Sequence, residues 1–205
     1  MEPKKIYASL LEKIVWLDLM PENKLNLSEL ADLYKVSRTP IKEVLIMLEA
    51  EGWVVRSGSS FTVTPLSLDR IRETTEIRII LEVKANELAM QRATEEELLA
   101  LTNFRNEISG FDDNMNKKLV VSLDMKFHKI LFNATKNIQL ARTLERLLSH
   151  YLRFWLASPG EINKESFFTE HYTIIQAIED KDKAALKTAS ERHIKDSINK
   201  IMGIF

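Results

Sequence analysis

The spacing of apolar positions changes character three times in the first 66 residues and hardly at all afterwards. A helical spacing runs from Lys5 to Leu19 and stops before Pro21. "PENKLN" reads as a turn. Asn26 or Ser28 can then cap a second helix, in which "SELADLY" turns Leu30, Ala31 and Leu33 inward. "KVS" leads into a third helix from about Arg38 to Glu51. Pro40 falls in its first turn, where a missing N–H costs little, and Gly52 closes it. The period then shortens. Trp53, Val54 and Val55 on one side of "SGSS", and Phe61 and Val63 on the other, carry the signature of a β-hairpin.

Three helices and a hairpin are the layout of a winged helix-turn-helix, with Pro65 and "LSLD" as a linker. From Asp69 onward no strand pattern recurs, and the periodicity predicts helices over 68–92, 94–109, 115–135, 138–157, 165–180 and 182–201. "TEEE" at Thr94–Glu97 is a capping box that starts the second of these. "TKN", "SPG" and "EDKD" are the breaks between later ones. The expected fold class is therefore mainly α: a winged helix-turn-helix over 1–66, joined to an antiparallel six-helix bundle over 67–205.

Composition agrees with this picture and narrows the chemistry. Five glycines and five prolines among 205 residues leave long uninterrupted helices. The absence of cysteine excludes disulfides and thiolate metal sites, and fits a reducing cytoplasm. Glu12, Lys13 and Asp18 interrupt the apolar run near the N-terminus, which thus reads as an amphipathic helix and not a signal. No stretch approaches the roughly 18 apolar residues of a membrane span, so the expected location is cytoplasmic. Net charge gives a nucleic-acid reading no help: residues 1–66 hold eight Lys and Arg against nine Asp and Glu. Any DNA contact must depend on where the charges sit.

The charges that matter gather at one helix start. "SRTPIK" offers Arg38 as a bidentate donor for a guanine edge, with Ser37, Thr39 and Lys42 suited to phosphates. Lys35 and the hairpin residues Arg56, Ser57, Ser59 and Ser60 can brace the flanking backbone. The same residue types also suit an ordinary helix cap with a solvated arginine, so the segment by itself leaves both readings open.

A second constellation lies in the bundle. Asp124 and His128 are four residues apart and share a helical face. His171 and His193 are nearly equidistant from the turn near 182, which places them at one height in an antiparallel pair. One carboxylate and three imidazoles suit Zn²⁺, Ni²⁺, Mn²⁺ or Fe²⁺, with positions left open for water or a carboxylate ligand. The fourth histidine, His150, has no partner at a ligand spacing and reads as a surface or outer group.

"LSELADLYKVSRTPIKEVLIMLEAEGWV" and the hairpin after it resemble the DNA-binding domain of GntR-family transcription regulators. The matching elements are Ser37, Arg38, Thr39, Pro40, Lys42, Glu43, Leu48, Glu51, Gly52 and Trp53. The resemblance implies that Arg38, Thr39 and Lys42 contact DNA and that the wing enters the minor groove. Asp18 and Glu22 stand where that family commonly has glycines, and Lys42 where it more often has arginine. "DMKFHKILFNATKNIQLARTLERL" and "EHYTIIQAIEDKDKAALKTASERH" resemble the FadR-type ligand domain, FCD, of one GntR branch. That likeness implies Asp124, His128, His171 and His193 as ligands of a divalent metal. "EIRIILEVKANELA" resembles the domain's first helix, which makes Arg78, together with Arg153, a candidate for holding an anionic effector. Six bundle helices fit the VanR-like subgroup better than the seven-helix one.

The function expected is that of an effector-responsive regulator of repressor type, not an enzyme. It would be a homodimer on a palindromic double-stranded operator, with a metal and a small carboxylate in its bundle. Two alternatives are a metal-free regulator that binds an acyl thioester, and a metal-dependent hydrolase or isomerase. No further Glu, Lys or His at a general-base spacing supports the last.

Overall fold

The computed structural model describes residues 2–110, 115–160 and 162–203, which form two compact units, Met1–Ser67 and Leu68–Phe205. In the first, α1 (Pro3–Val15) precedes a two-residue strand, β1 (Lys24–Leu25), and the pair α2 (Leu27–Tyr34) and α3 (Arg38–Ala50). Strands β2 (Val54–Ser57) and β3 (Ser60–Val63) close the unit. Ile6, Leu10 and Ile14 form one stripe of α1; Ile41, Val44, Leu45 and Leu48 form one stripe of α3. Both stripes are buried, along with Trp53, Phe61 and Val63, in a core small enough that every member matters.

Three local expectations are corrected. Helix α1 starts two residues before Lys5, because Pro3 suits a first helical position, and it ends four before Leu19. Leu17 has φ +60, which takes the chain out of the helix, and Leu19 N–H then bonds back to the Lys13 carbonyl at 2.9 Å. "PENKLN" is more than a turn: Lys24 and Leu25 pair antiparallel with Thr62 and Phe61, giving a sheet of order β1-β3-β2. Leu33 does not point inward. The buried stripe of α2 is Leu30, Ala31 and Tyr34, and Leu33, one residue off it, is 63% exposed. Glu22 has φ +67, a conformation that glycine takes at little cost. Gly58 has φ +61 at the first central position of the β2–β3 turn, where two-residue hairpins require it.

The second unit contains α4 (Leu68–Arg92), α5 (Glu95–Ser109), α6 (Lys117–Ala134), α7 (Ile138–Ala157), α8 (Lys164–Glu179) and α9 (Lys183–Met202). Their boundaries follow local chemistry. Thr94 and Glu97 form the reciprocal capping box of α5, and Asn116, Asn137, Asn163 and Asp182 cap the next four helices with their side chains. Helix α7 is the most amphipathic in appearance, burying Leu144, Leu148, Leu152 and Trp155. Helix α4 is different. Its buried side includes Thr74, Thr75, Arg78, Glu82 and Asn86 with only Ile71, Ala85 and Ala89 as apolar members. It packs against α9, whose inner face is equally mixed, with Ser190, His193 and Ser197 beside Leu186 and Ile194. Asn86 donates to the Ser190 hydroxyl at 2.9 Å in this interface. No helix among the described residues is long and apolar enough to cross a membrane.

The Asn26 side chain accepts from the backbone N–H groups of Ser28 and Glu29, at the start of α2. Asn26→Ala is expected to lower the stability of the first unit by about 1 kcal/mol, measured as a shift in its urea unfolding midpoint at unchanged slope.

Candidate functional site

The first site is a surface. Lys35 ends α2 in the left-handed region, with φ +54, and this single residue turns the chain toward α3. Ser37 occupies the N-cap position of α3 but makes no side-chain cap hydrogen bond, so capping does not consume its hydroxyl. Arg38, Thr39 and Lys42 follow on the exposed side of the first turns, opposite the buried stripe that begins at Ile41. The helix axis and the exposed N-terminal face are thus fixed by apolar packing on the far side. In the wing, Arg56 folds over the turn: its Nε donates to the Gly58 carbonyl at 2.9 Å and its guanidinium lies 5.5 Å from the Phe61 ring centre. Ser59 is exposed at the wing tip.

The second site is interior. Asp124 and His128 come from α6, His171 from α8 and His193 from α9, and one ligand atom from each lies within 4.8 Å of all the others. All four residues are buried. The rings of Phe127 and Phe167 pack against His171, with centroids 4.5 and 5.1 Å away, and keep the surroundings apolar.

The outward nitrogen of each imidazole faces an acceptor. His171 Nδ1 lies 2.8 Å from the Phe167 carbonyl and His193 Nδ1 lies 3.0 Å from a Glu170 oxygen, both hydrogen bonds, while His128 Nδ1 faces Glu82 Oε2 at 3.4 Å without forming one. A carbonyl can only accept, so His171 carries its hydrogen on Nδ1. Its Nε2, 2.9 Å from Asp124 Oδ1, then turns a lone pair toward a carboxylate unless something positive intervenes. His128 Nε2 and His193 Nε2 face one another at 3.2 Å in the same way. Four donor atoms thus converge with their lone pairs directed inward, an arrangement that calls for a proton or a cation between them.

Electrostatics adds to this. Burial, reinforced by the charges of His193 and Arg78, outweighs Asp124 and Glu82 and lowers His128 to about 4, so at neutral pH its imidazole is uncharged and free to ligate. Burial acts to raise Asp124, but the positive charge that His128, and after it His171 and His193, can carry around it holds it below the ordinary carboxylate range.

Arg78 is joined to this cluster through Glu82. The two form a fully buried ion pair through Nε and Oε1, and the other Glu82 oxygen is the one that faces His128. Burial acts to lower the Arg78 guanidinium, but the charge and hydrogen bond of Glu82, with Tyr151 and Asp124, together hold it above its ordinary value. Its plane lies over the Tyr151 ring at 4.3 Å, while Nη1 has no hydrogen-bond partner among the described residues. Arg153 is buried too, but beside Arg70; burial and that like charge lower it to about 10. The structure therefore places Arg78 at the cluster and Arg153 near the start of α4. His150 is half-buried and outside the four-residue group. From outside, a groove of about 320 Å³ between α8 and α9 reaches His193 past Glu170, which Lys200 holds at 2.5 Å.

Sequence reasoning did not single out Glu82, Glu170 or the Phe167 carbonyl as partners of the histidines. The one local signal is position: Glu82 is four residues from Arg78 and Glu170 precedes His171.

Comparison with known proteins agrees with both halves. The model described as bacterial regulatory proteins, gntR family, matches residues 3–63, and the FCD domain model matches residues 73–196. The HTH-type transcriptional regulator YdhC of Bacillus subtilis, itself uncharacterized, is 32% identical over 82% of this chain and 76% of its own length. The Exu regulon transcriptional regulator of Escherichia coli is 26% identical over 96% and 84%. Among solved structures, E. coli McbR/YncC superposes with a TM-score of 0.84 at 18% identity, covering 98% of this chain and 97% of that one. A putative transcriptional regulator GntR from Rhodococcus gives 0.82 at 15% identity over 99% and 98%. These last two likenesses are of fold.

Removing one member of a buried ion pair strands the other. Arg78→Met is expected to cost about 3–5 kcal/mol in the second unit, and adding Glu82→Gln should recover part of it. Chemical unfolding of the two single variants and the double variant measures that coupling; additive losses would show that the pair is not coupled.

Proposed function

We propose, for a chain that belongs to the GntR family of bacterial regulatory proteins and carries an FCD domain, a DNA-binding transcription regulator that senses a small organic acid through a metal-centred site in its helical unit. One observation carries the metal reading: three imidazoles, each with Nδ1 turned to an acceptor, direct Nε2 at each other and at Asp124 Oδ1. Asp124, His128, His171 and His193 are the proposed ligands, and Zn²⁺ or Ni²⁺ suits them best, with Mn²⁺ or Fe²⁺ next. A divalent ion there supplies positive charge and open coordination positions for an anionic oxygen. Phe167, Glu170 and Glu82 fix the ring orientations. Arg78, with an unpaired buried Nη1, is the group proposed to take the acid's second oxygen. Arg153, buried at the far end of α4, is retained as a candidate for a longer ligand.

At the other end, Arg38 is proposed to read a base edge, and Lys35, Ser37, Thr39, Lys42, Arg56 and Ser59 to contact the DNA backbone. The absence of a side-chain cap at Ser37 supports this, since its hydroxyl remains available. A homodimer on a palindromic operator is the proposed assembly. In support, Ile77 and Ile80 on the outer side of α4 are 47% and 71% exposed, apolar surface that a second copy could cover. Regulation, here as a repressor, requires the acid to favour one arrangement of the dimer; a coupling of about 1–3 kcal/mol changes operator occupancy 5- to 150-fold.

Two measurements test these assignments. Elemental analysis of the purified chain should find about one metal per protomer, lost in His171→Ala; a chain that holds no metal and cannot be loaded would leave the metal-free thioester reading. In gel shifts, Arg38→Ala should cost about 1–3 kcal/mol on operator DNA and little on scrambled DNA. Lys42→Ala should weaken both alike and reduce the salt slope by about 1. Equal behaviour of the two variants on both DNAs would refute the division of roles.

A further inference from the structure

Glu82 stands between the two positive centres of the proposed site, and the charges around it can be counted. Asp124 and the ion-paired Glu82 each contribute one negative charge and Arg78 one positive, while His128, as an imidazole ligand, contributes none. With His171 and His193 also acting as neutral ligands, the protein groups sum to one negative charge, and a divalent ion brings the centre to one positive. Other charged groups nearby do not alter the sum. Glu170 is paired with Lys200. Arg70, whose like charge acts on Arg153, stands eight residues and about 12 Å of helix rise from Arg78 along α4.

We infer that Glu82 sets the charge class of the effector: by neutralising Arg78 it tunes the buried centre to bind a monocarboxylate in preference to a dicarboxylate. A buried site with aromatic walls tolerates little uncompensated charge. A monoanion brings this one to neutrality, whereas a dianion leaves an excess negative charge beside Asp124 and Glu82. The buried Arg78 Nη1 without a partner marks where a carboxylate oxygen is held. If Glu82 were neutral, the centre would carry two positive charges and a dianion would match it. Specificity would then come from a group placed against the wrong ligand as much as for the right one.

The inference rests on the metal and carboxylate reading, and the experiment separates the two. The full-length chain loaded with Zn²⁺ is titrated calorimetrically with chain-matched acids of two to six carbons, such as butyrate against succinate. Metal content is measured before and after, to exclude chelation. In the unaltered chain the preferred monocarboxylate should bind about tenfold or more tighter than its dicarboxylate counterpart. In Glu82→Gln that preference should shrink or invert, with zinc retained. Dicarboxylates bound as tightly as monocarboxylates by the unaltered chain would overturn the role of Glu82 and leave the carboxylate reading standing. No stabilising acid of either class would overturn both. The comparison within the unaltered chain holds even if Glu82→Gln fails to fold.

Discussion

Three imidazole rings directed at one buried carboxylate constrain the helical unit more than any apolar contact does. Lone pairs facing lone pairs at 2.9 and 3.2 Å are repulsive unless a cation or a proton joins them. The rings must also be prevented from turning away. That task falls to a backbone carbonyl of α8, a carboxylate one residue before His171 and a carboxylate on α4. Sliding of α6, α8 or α9 against one another would break these polar contacts, and sliding of α4 would part Glu82 from His128. The surrounding phenylalanines make this stricter, because they lower the local dielectric in which each unmade contact would be left.

Helix α4 shows what such a centre demands of its neighbours. A helix in the middle of a bundle would ordinarily bury leucine and isoleucine, yet α4 buries Arg78, Glu82 and Asn86 in one stripe and leaves Ile77 and Ile80 outside. Hydrophobic burial alone would favour the reverse. The inner stripe is held by pairing: Arg78 with Glu82, and Asn86 with Ser190. The outer isoleucines remain as exposed apolar surface.

In the winged unit the functional logic is reversed. There the apolar core does the positioning, and the polar residues are left exposed. Ile41, Val44, Leu45 and Leu48 set the rotation of α3, so Arg38, Thr39 and Lys42 face outward with few ties of their own. Lys35 accepts a left-handed backbone to make the turn before α3 short, and Glu22 does so before β1. With Lys and Arg nearly balanced by Asp and Glu in this unit, the exposed cations of α3 and the wing stand out by position and not by a bulk excess of charge.

Much of the architecture was legible from local chemistry. The capping box at Thr94–Glu97, the break at Gly52 and the asparagine caps of the later helices act over three or four residues, and the element boundaries follow them closely. The four-residue interval of Asp124 and His128 is likewise a property of one helix. What the sequence could not supply was the set of relations between elements. Lys24 and Leu25 become a strand only because β3 offers them a pairing edge. Leu33 is exposed because packing chose the stripe through Tyr34. Glu82 and Glu170 acquire their roles from rings on other helices, and Arg78 differs from Arg153 only in what each is packed against. Hydrogen bonds along one helix are fixed by its 3.6-residue period, but the rotation of one helix against another is set by the sum of packing across the whole core. By itself the sequence determined the helices, the ends that a cap or glycine marks, and which histidines and carboxylate could share a face. Only the tertiary structure decided which lone pairs meet, because that depends on ångström-scale distances between elements far apart in the chain.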